Sequence, residues 1–252
     1  MKRHELIYGF HAVKTVLQTR PRDVMQLFIQ SNRNDHRLTE VVNLAELSSI
    51  PCDVLPKIKL QEMVGDDHLH QGVIAKCKPL MAWSEQDLMD HVENAKERVV
   101  LLVLDGVQDP HNLGACLRSA NAFGVTAVVA PKDRAVALTE VVRKVSCGAA
   151  EQTPFIAVTN LNRALKELQK AGVWLVGLDS EATMGLTDID LKGNIGIVMG
   201  GEGQGLRRLT REVCDYLAQI PMLGTVESLN VSVATGVALY ETQRQRGSKI
   251  ML

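Results

Sequence analysis

Three short polar loops hold most of the residues in this 252-residue chain that are equipped for chemistry. The first runs Asp105-Gly106-Val107-Gln108-Asp109-Pro110-His111-Asn112 and leads into Leu113-Gly114-Ala115-Cys116-Leu117-Arg118. The second is Gly200-Gly201-Glu202-Gly203-Gln204-Gly205, and the third is Ile220-Pro221-Met222-Leu223-Gly224-Thr225-Val226-Glu227-Ser228-Leu229-Asn230. Consecutive glycines let backbone amides approach a ligand closely. Glu202, set among them, offers a carboxylate that can orient a polar group. Such a loop at the carboxyl end of a buried strand sits where open α/β sheets bind ligands. Asn112, Ser228 and Asn230 bring amide and hydroxyl groups to loop-to-helix junctions. Helix capping alone accounts for any one of them taken singly. Three such loops in one chain ask for more. Arg118 lies two turns into an otherwise near-apolar stretch. It is either a solvated side chain or a cation held for a purpose, because Arg is rarely buried unless paired.

The glycine loop fails two familiar tests. A Walker loop needs Lys after its final Gly, and position 206 is Leu. A dinucleotide fingerprint starting at Gly201 or Gly203 would need Gly where Leu206 or Arg208 stands, and it belongs after the first strand of a domain. Arg207, Arg208 and Arg211 follow on an expected helix. They form either a solvated face or a contact for phosphates. His68 and His70 form an H-x-H pair, but no Cys, His or carboxylate cluster has metal-ligand spacing. No metal is expected, and the two histidines read as solvent-facing. The five cysteines, Cys52, Cys77, Cys116, Cys147 and Cys214, are scattered and form no C-x-x-C pair. They read as reduced, small core residues of a cytoplasmic protein.

The elements that must position these loops fall into two parts. Residues 1–78 alternate helix and strand patterns: helical spacing over 8–17 and 38–47, strands at 27–29, 52–55 and 72–75. This predicts a small sandwich of helices on a sheet. Residues 79–98 read as a linker that turns into a helix, with Ser84 and Asp87 spaced as a capping box. From Val99 the texture changes. Residues 99–104 are a continuous apolar run, as expected of a parallel strand buried on both faces. Helices over 112–123, 138–145 and 161–171 then alternate with strands over 126–130, 155–158, 173–178 and 195–199, before a closing helix over 230–246. Such βα repetition predicts a doubly wound parallel sheet.

Composition narrows the field. Hydrophobic residues are 46% and charged residues 23%, ordinary for a globular protein. Aromatics are only 4%, which argues against large base-stacking platforms. The net charge of −1 does not advertise nucleic-acid binding, so any such function has to rely on local patches or an oligomeric groove. Residues 1–5 lead into no apolar signal segment, and no apolar run reaches the roughly 18 residues of a membrane span, so none is expected.

Taken together, the three motifs resemble those of the SpoU-type (TrmH-like) branch of the SPOUT RNA methyltransferases. The segments Tyr8-Gly9-Phe10-His11-Ala12-Val13 and His70-Gln71-Gly72-Val73-Ile74-Ala75 are similar to the ends of the L30e-like substrate-binding domain that accompanies many of these catalytic domains. The likeness covers essentially the whole chain. Within the family it is nearest to the bacterial enzymes acting on a guanosine ribose of 23S ribosomal RNA. The resemblance implies a division into 1–78 for RNA substrate binding, 79–98 as linker and 99–252 for catalysis. It implies S-adenosylmethionine as cofactor and a trefoil knot made by threading the carboxyl-terminal segment, a rare exception to the rule against knots. It places catalytic roles on Asn112, Arg118, Glu202, Ser228 and Asn230, and cofactor contacts on Gly200, Ile220, Met222 and Leu229. It also implies a homodimer with active sites at the interface. The base proposed for the family falls on Arg118. A guanidinium is effectively always protonated, so Arg118 is either unusually held, or it clamps a phosphate or polarises the hydroxyl while water takes the proton. Relatives modify other RNA sites, so the first alternative is the same chemistry on a tRNA or another rRNA site. Two rivals come from other classes. One is a non-catalytic RNA-binding protein, against which the intact polar set of all three motifs argues. The other is a Rossmann-type oxidoreductase, which the failed fingerprint disfavours.

Overall fold

The computed structural model describes residues 4–33, 36–65, 69–78, 83–203 and 205–247. The chain divides into two compact units, Met1–Met81 and Ala82–Leu252. The first unit runs β1 (Glu5–Tyr8), α1 (Phe10–Thr19), β2 (Val24–Gln30), α2 (His36–Leu47), β3 (Cys52–Leu55), α3 (Lys57–Val64) and β4 (Val73–Cys77). Its sheet has the order β1-β4-β2-β3, with only β2 and β3 parallel. Helices α1 and α2 cover one face through Val13, Val16, Leu17, Val41 and Ala45, and α3 covers the other through Leu60 against Phe28 and Ile74. The helical spacing expected from residue 8 in fact starts at Phe10. Tyr8 ends β1, and Gly9 turns the chain at φ +89°. The backbone N–H of Phe10 donates to Gln71 Oε1 at 3.0 Å, so the two segments at either end of this unit are tied together.

The second unit runs α4 (Glu85–Asn94), β5 (Val100–Asp105), α5 (Pro110–Ala122), β6 (Ala127–Pro131), α6 (Glu140–Val145), β7 (Phe155–Val158), α7 (Leu161–Lys170), β8 (Trp174–Leu178), β9 (Met184–Gly185), β10 (Ile195–Gly200), α8 (Arg208–Val213), β11 (Tyr216–Gln219) and α9 (Val231–Arg246). Among the described residues its strands form one parallel sheet of order β7-β6-β5-β10-β8-β11-β9. The continuous apolar runs arise because β5 is buried along its whole length. Val100, Leu102 and Leu104 point into the core shared with α5 and α9, while Leu101 and Val103 point into the core shared with α4 and α7. Helix α4 starts on the Ser84–Asp87 capping box. Two late strands are inserted between earlier neighbours: β10 lies between β5 and β8, and β11 between β8 and β9. The order therefore reverses beside β5, and the carboxyl ends of β5, β10 and β8 open one crevice.

Candidate active site

Strands β5 and β10 run in register with Asp105 opposite Gly200, so the first two loops leave the sheet side by side. The third loop follows β11 and ends where α9 begins. Helix α5 starts on Asp109, whose side chain accepts from the N–H of His111 at 2.8 Å, with Pro110 at the first helical position. Capping therefore falls to Asp109, which removes the capping alternative for Asn112. The side chain of Asn112 turns instead to the other loops. Its Nδ2 donates to Glu202 Oε1 at 2.7 Å, and its Oδ1 accepts from Asn230 Nδ2 at 3.0 Å. Asn230 does both jobs: its Oδ1 caps α9 by accepting from the N–H of Ser232 at 2.9 Å, and also accepts from Ser232 Oγ at 2.6 Å. One chain of hydrogen bonds thus joins all three loops.

Beside it lies a cavity of about 590 Å³, within the usual range of about 300–1,000 Å³ for small-molecule sites. Gly200, Ile220, Met222 and Leu229 line it, as do Glu202, Ser228 and Asn230. Leu178 and Met199 add apolar wall. At Gly200 a Cβ would fall 2.1 Å from the backbone carbon of Gly205, so only glycine lets the second loop fold back here. Asp179, Glu181 and Arg211 supply charge at the rim of the wall. Arg211 pairs with Asp179 at 3.1 Å and with Glu181 at 3.3 Å. Sequence reasoning missed this acidic pair. Its signal was an aspartate directly after the apolar run of β8, at the carboxyl end where ligands bind.

Arg118 is not among the residues lining the cavity. It is exposed, and six residues beyond Asn112 it stands about 120° away around α5. No hydrogen bond or ion pair holds it among the described residues. Arg207, Arg208 and Arg211 are all engaged: Arg207 with Asp105 at 3.3 Å, Arg208 with Glu212 at 2.5 Å, and Arg211 as above. This basic face fits either of its two readings, solvated or phosphate-binding: the three side chains keep 39%, 76% and 40% exposure beside their acidic partners. His70 is also not solvent-facing. It is buried, and its Nδ1 accepts from the N–H of Gly72 at 3.0 Å. Its partner in the H-x-H pair, His68, lies outside the described residues. No group of three or more His, Cys, Asp or Glu with metal-binding geometry occurs among the described residues. Cys116 sits between α5 and α9 against Thr235. Burial, offset in part by Thr235 and reinforced by the Glu202 carboxylate, pushes its thiol up to about 11. It remains a neutral packing group.

The arrangement can hold an apolar ring system beside a set of precisely oriented amide and carboxylate groups, and comparison with known proteins gives it a lineage. Residues 99–240 match the model of the SpoU rRNA methylase family, and residues 6–83 match that of the RNA 2′-O ribose methyltransferase substrate-binding domain. The 23S rRNA (guanosine-2′-O-)-methyltransferase of Coxiella burnetii is 54% identical over 98% of both chains. Its Pseudomonas aeruginosa counterpart is 50% identical over the same share. Among solved structures, the SpoU methyltransferase AviRb from Streptomyces viridochromogenes in complex with AdoMet aligns with a TM-score of 0.78 at 22% identity, covering 98% of this chain and 92% of that one. An RNA 2′-O ribose methyltransferase aligns equally well at 24% identity, covering 98% and 90%. By sequence over both of its units, the chain belongs to the SpoU rRNA methylase family.

Proposed function

We propose that this protein transfers a methyl group from S-adenosylmethionine to the ribose 2′-hydroxyl of a guanosine in 23S ribosomal RNA. One observation carries the reading: the Glu202–Asn112–Asn230 chain borders the cavity lined by Gly200, Ile220, Met222 and Leu229. The residues fit the cofactor. Apolar side chains suit an adenine, a glycine turn admits close backbone contact, and Asp179 and Glu181 offer acceptors for polar groups. The double insertion of β10 and β11 supports the threaded carboxyl-terminal segment that the resemblance implies.

Adenosylmethionine, when held by Gly200, Ile220, Met222 and Leu229, would supply an activated methyl on a sulfonium, with a neutral thioether as its leaving group. The rest is positioning, which can contribute several kcal/mol to an in-line displacement. Asn112 fixes the Glu202 carboxylate and Asn230 fixes Asn112, so neither amide rotates freely. Ser228, exposed on the cavity wall, is placed to hydrogen-bond the ribose. Arg118 grips an RNA phosphate or polarises the hydroxyl as a cation with five donors in a fixed fork, and the hydroxyl proton leaves to water. Arg118 reaches the site through assembly. The protein works as a homodimer joined through its catalytic units, on the exposed α9 face of Val233, Val237 and Tyr240. The first unit selects the RNA. No helix among the described residues is long and apolar enough to cross a membrane. The reading places the protein in the cytoplasm because its ribosomal RNA substrate would be found there.

Calorimetry with adenosylmethionine and with NAD, followed by a methylation assay on a 23S rRNA fragment, tests the proposal. Binding and consumption of adenosylmethionine are expected. Binding of neither cofactor would leave a bare RNA-binding protein, and binding of NAD alone would point to an oxidoreductase.

A further inference from the structure

The glycine loop and the first-motif loop are fastened to each other at their roots, below the residues assigned to chemistry. Asp105 is the last residue of β5, and its side chain is fully buried. Its Oδ2 accepts from the backbone N–H of Arg207 at 3.0 Å, and its Oδ1, which has no hydrogen-bond partner among the described residues, is ion-paired with Arg207 Nη1 at 3.3 Å. A buried carboxylate is costly unless paired, so this contact has a strong reason to stay closed. The guanidinium then lies across the turn after β5. At Gly106, φ is +88°, and a Cβ would meet Arg207 Nη2 at 2.8 Å. A Cβ on Gly201 would meet the Gly106 carbonyl oxygen at 2.6 Å. The glycine loop closes on itself above this point, where the Gly205 N–H donates to the Gly201 carbonyl at 3.2 Å. Glu202 projects from that closed loop to Asn112.

We infer that Asp105 and Arg207 form a buckle that sets the height of the glycine loop over α5, so that Glu202 meets Asn112. Arg207 is thus a positioning residue rather than a contact for RNA phosphate. The inference rests on the proposed methyl transfer for its kinetic consequence, but the buckle itself is readable without it. Two neutral or altered side chains separate the possibilities: Arg207→Met keeps the stem and removes the charge, and Arg207→Lys keeps the charge but loses the fork.

Amide hydrogen exchange on the full chain without ligand gives the first readout. In Arg207→Met, the amides of Gly201, Gly205 and Gly106 should exchange at least tenfold faster together, while those of β6 and α7 stay protected. Arg207→Lys should show a smaller acceleration at the same amides. Unchanged exchange at all three amides in both variants would overturn the buckle, whatever the enzyme does. Steady-state kinetics on a 23S rRNA fragment give the second. Arg207→Met should lower kcat tenfold or more with KM for RNA within about twofold, and Arg207→Lys should restore part of kcat. A raised KM with unchanged kcat, together with a shallower salt dependence of RNA binding, would assign Arg207 to phosphate contact and defeat the inference. A wild-type protein that transfers no methyl would refute the proposed function, and the exchange result would still decide the buckle.

Discussion

At the scale of single residues, the site separates groups that are held from one that is not. Asn112, Glu202 and Asn230 hold one another, whereas Arg118 stands exposed and unpaired among the described residues. Arg118→Ala should therefore leave folding and adenosylmethionine affinity largely intact while lowering methyl transfer by at least a hundredfold. Calorimetry paired with a methylation assay checks both halves, and substantial remaining turnover would remove Arg118 from the mechanism. The sequence displayed all three polar loops but not their wiring. That Asp109 would cap α5 and free Asn112 depends on backbone geometry at one turn, where Asp and Asn are equally good caps. His70 shows the same limit, because an H-x-H pair reads alike on a surface and in a core. Burial, with Lys57 and Arg33 nearby, holds the His70 imidazole below the ordinary histidine value of 6.5. The unfolded chain then binds a proton that the folded chain resists. This contribution to stability is complete above pH 6.5 and is lost as pH falls through the lower folded value. Thermal unfolding of the full chain between pH 7.5 and 5 should show that loss, and His70→Asn, which keeps an acceptor for Gly72, should flatten it. An equal acid sensitivity in the variant would place the effect elsewhere.

At the scale of elements, the closing helix is the piece on which the site depends, since Asn230 is at once its cap and part of the hydrogen-bond chain. Its far end is anchored as firmly. The Arg246 guanidinium donates to the carbonyls of Arg98 and Val99 at 3.1 Å each, of Leu191 at 3.3 Å, and of Gly193. Those carbonyls belong to the segments that lead into β5 and β10, so α9 is pinned at both ends of the same two strands. Arg246→Ala would leave several carbonyls short of a donor. It should cost on the order of 3 kcal/mol, read as a lower midpoint in urea unfolding with an unchanged slope. A loss under about 0.5 kcal/mol would show the anchor to be ornamental. The helix itself was legible over 230–246 because its run is long and closes on Gly247. The helix expected after the glycine loop is α8, with Arg207 at its N-cap. Helix α3 was harder, being short with one buried residue, Leu60, so it shows no clear apolar period. The two-residue β9 carries no periodicity at all. The parallel sheet was legible because β5 and β10 are buried on both faces, but the insertion of β10 beside β5 is a long-range pairing that no local pattern records.

At the scale of the whole molecule, a chain of net charge −1 has to hold an RNA. Arg207, Arg208 and Arg211 each have an ion-pair partner within the unit, whereas Arg118 is exposed with none among the described residues, which raises the value of doubling it by assembly. On α9, Val231 and Leu239 are buried within the unit, whereas Val233, Val237 and Tyr240 are 52%, 40% and 58% exposed. An apolar stripe at i, i+4 and i+7 on a helix beside the site suits a second copy of the same chain. Sedimentation at micromolar protein should give a dimer, and Val237→Glu should give a monomer with little activity. A wild-type monomer with full activity would defeat this assembly.

The most direct test is to map ribose methyls in 23S ribosomal RNA from cells with and without this protein, then to restore the missing mark with purified protein and adenosylmethionine. The account predicts that one guanosine loses its 2′-O-methyl in the deleted strain and regains it in vitro, with a single methyl added per RNA. An unchanged map, or a methyl restored to a base nitrogen or carbon rather than a ribose oxygen, would contradict it.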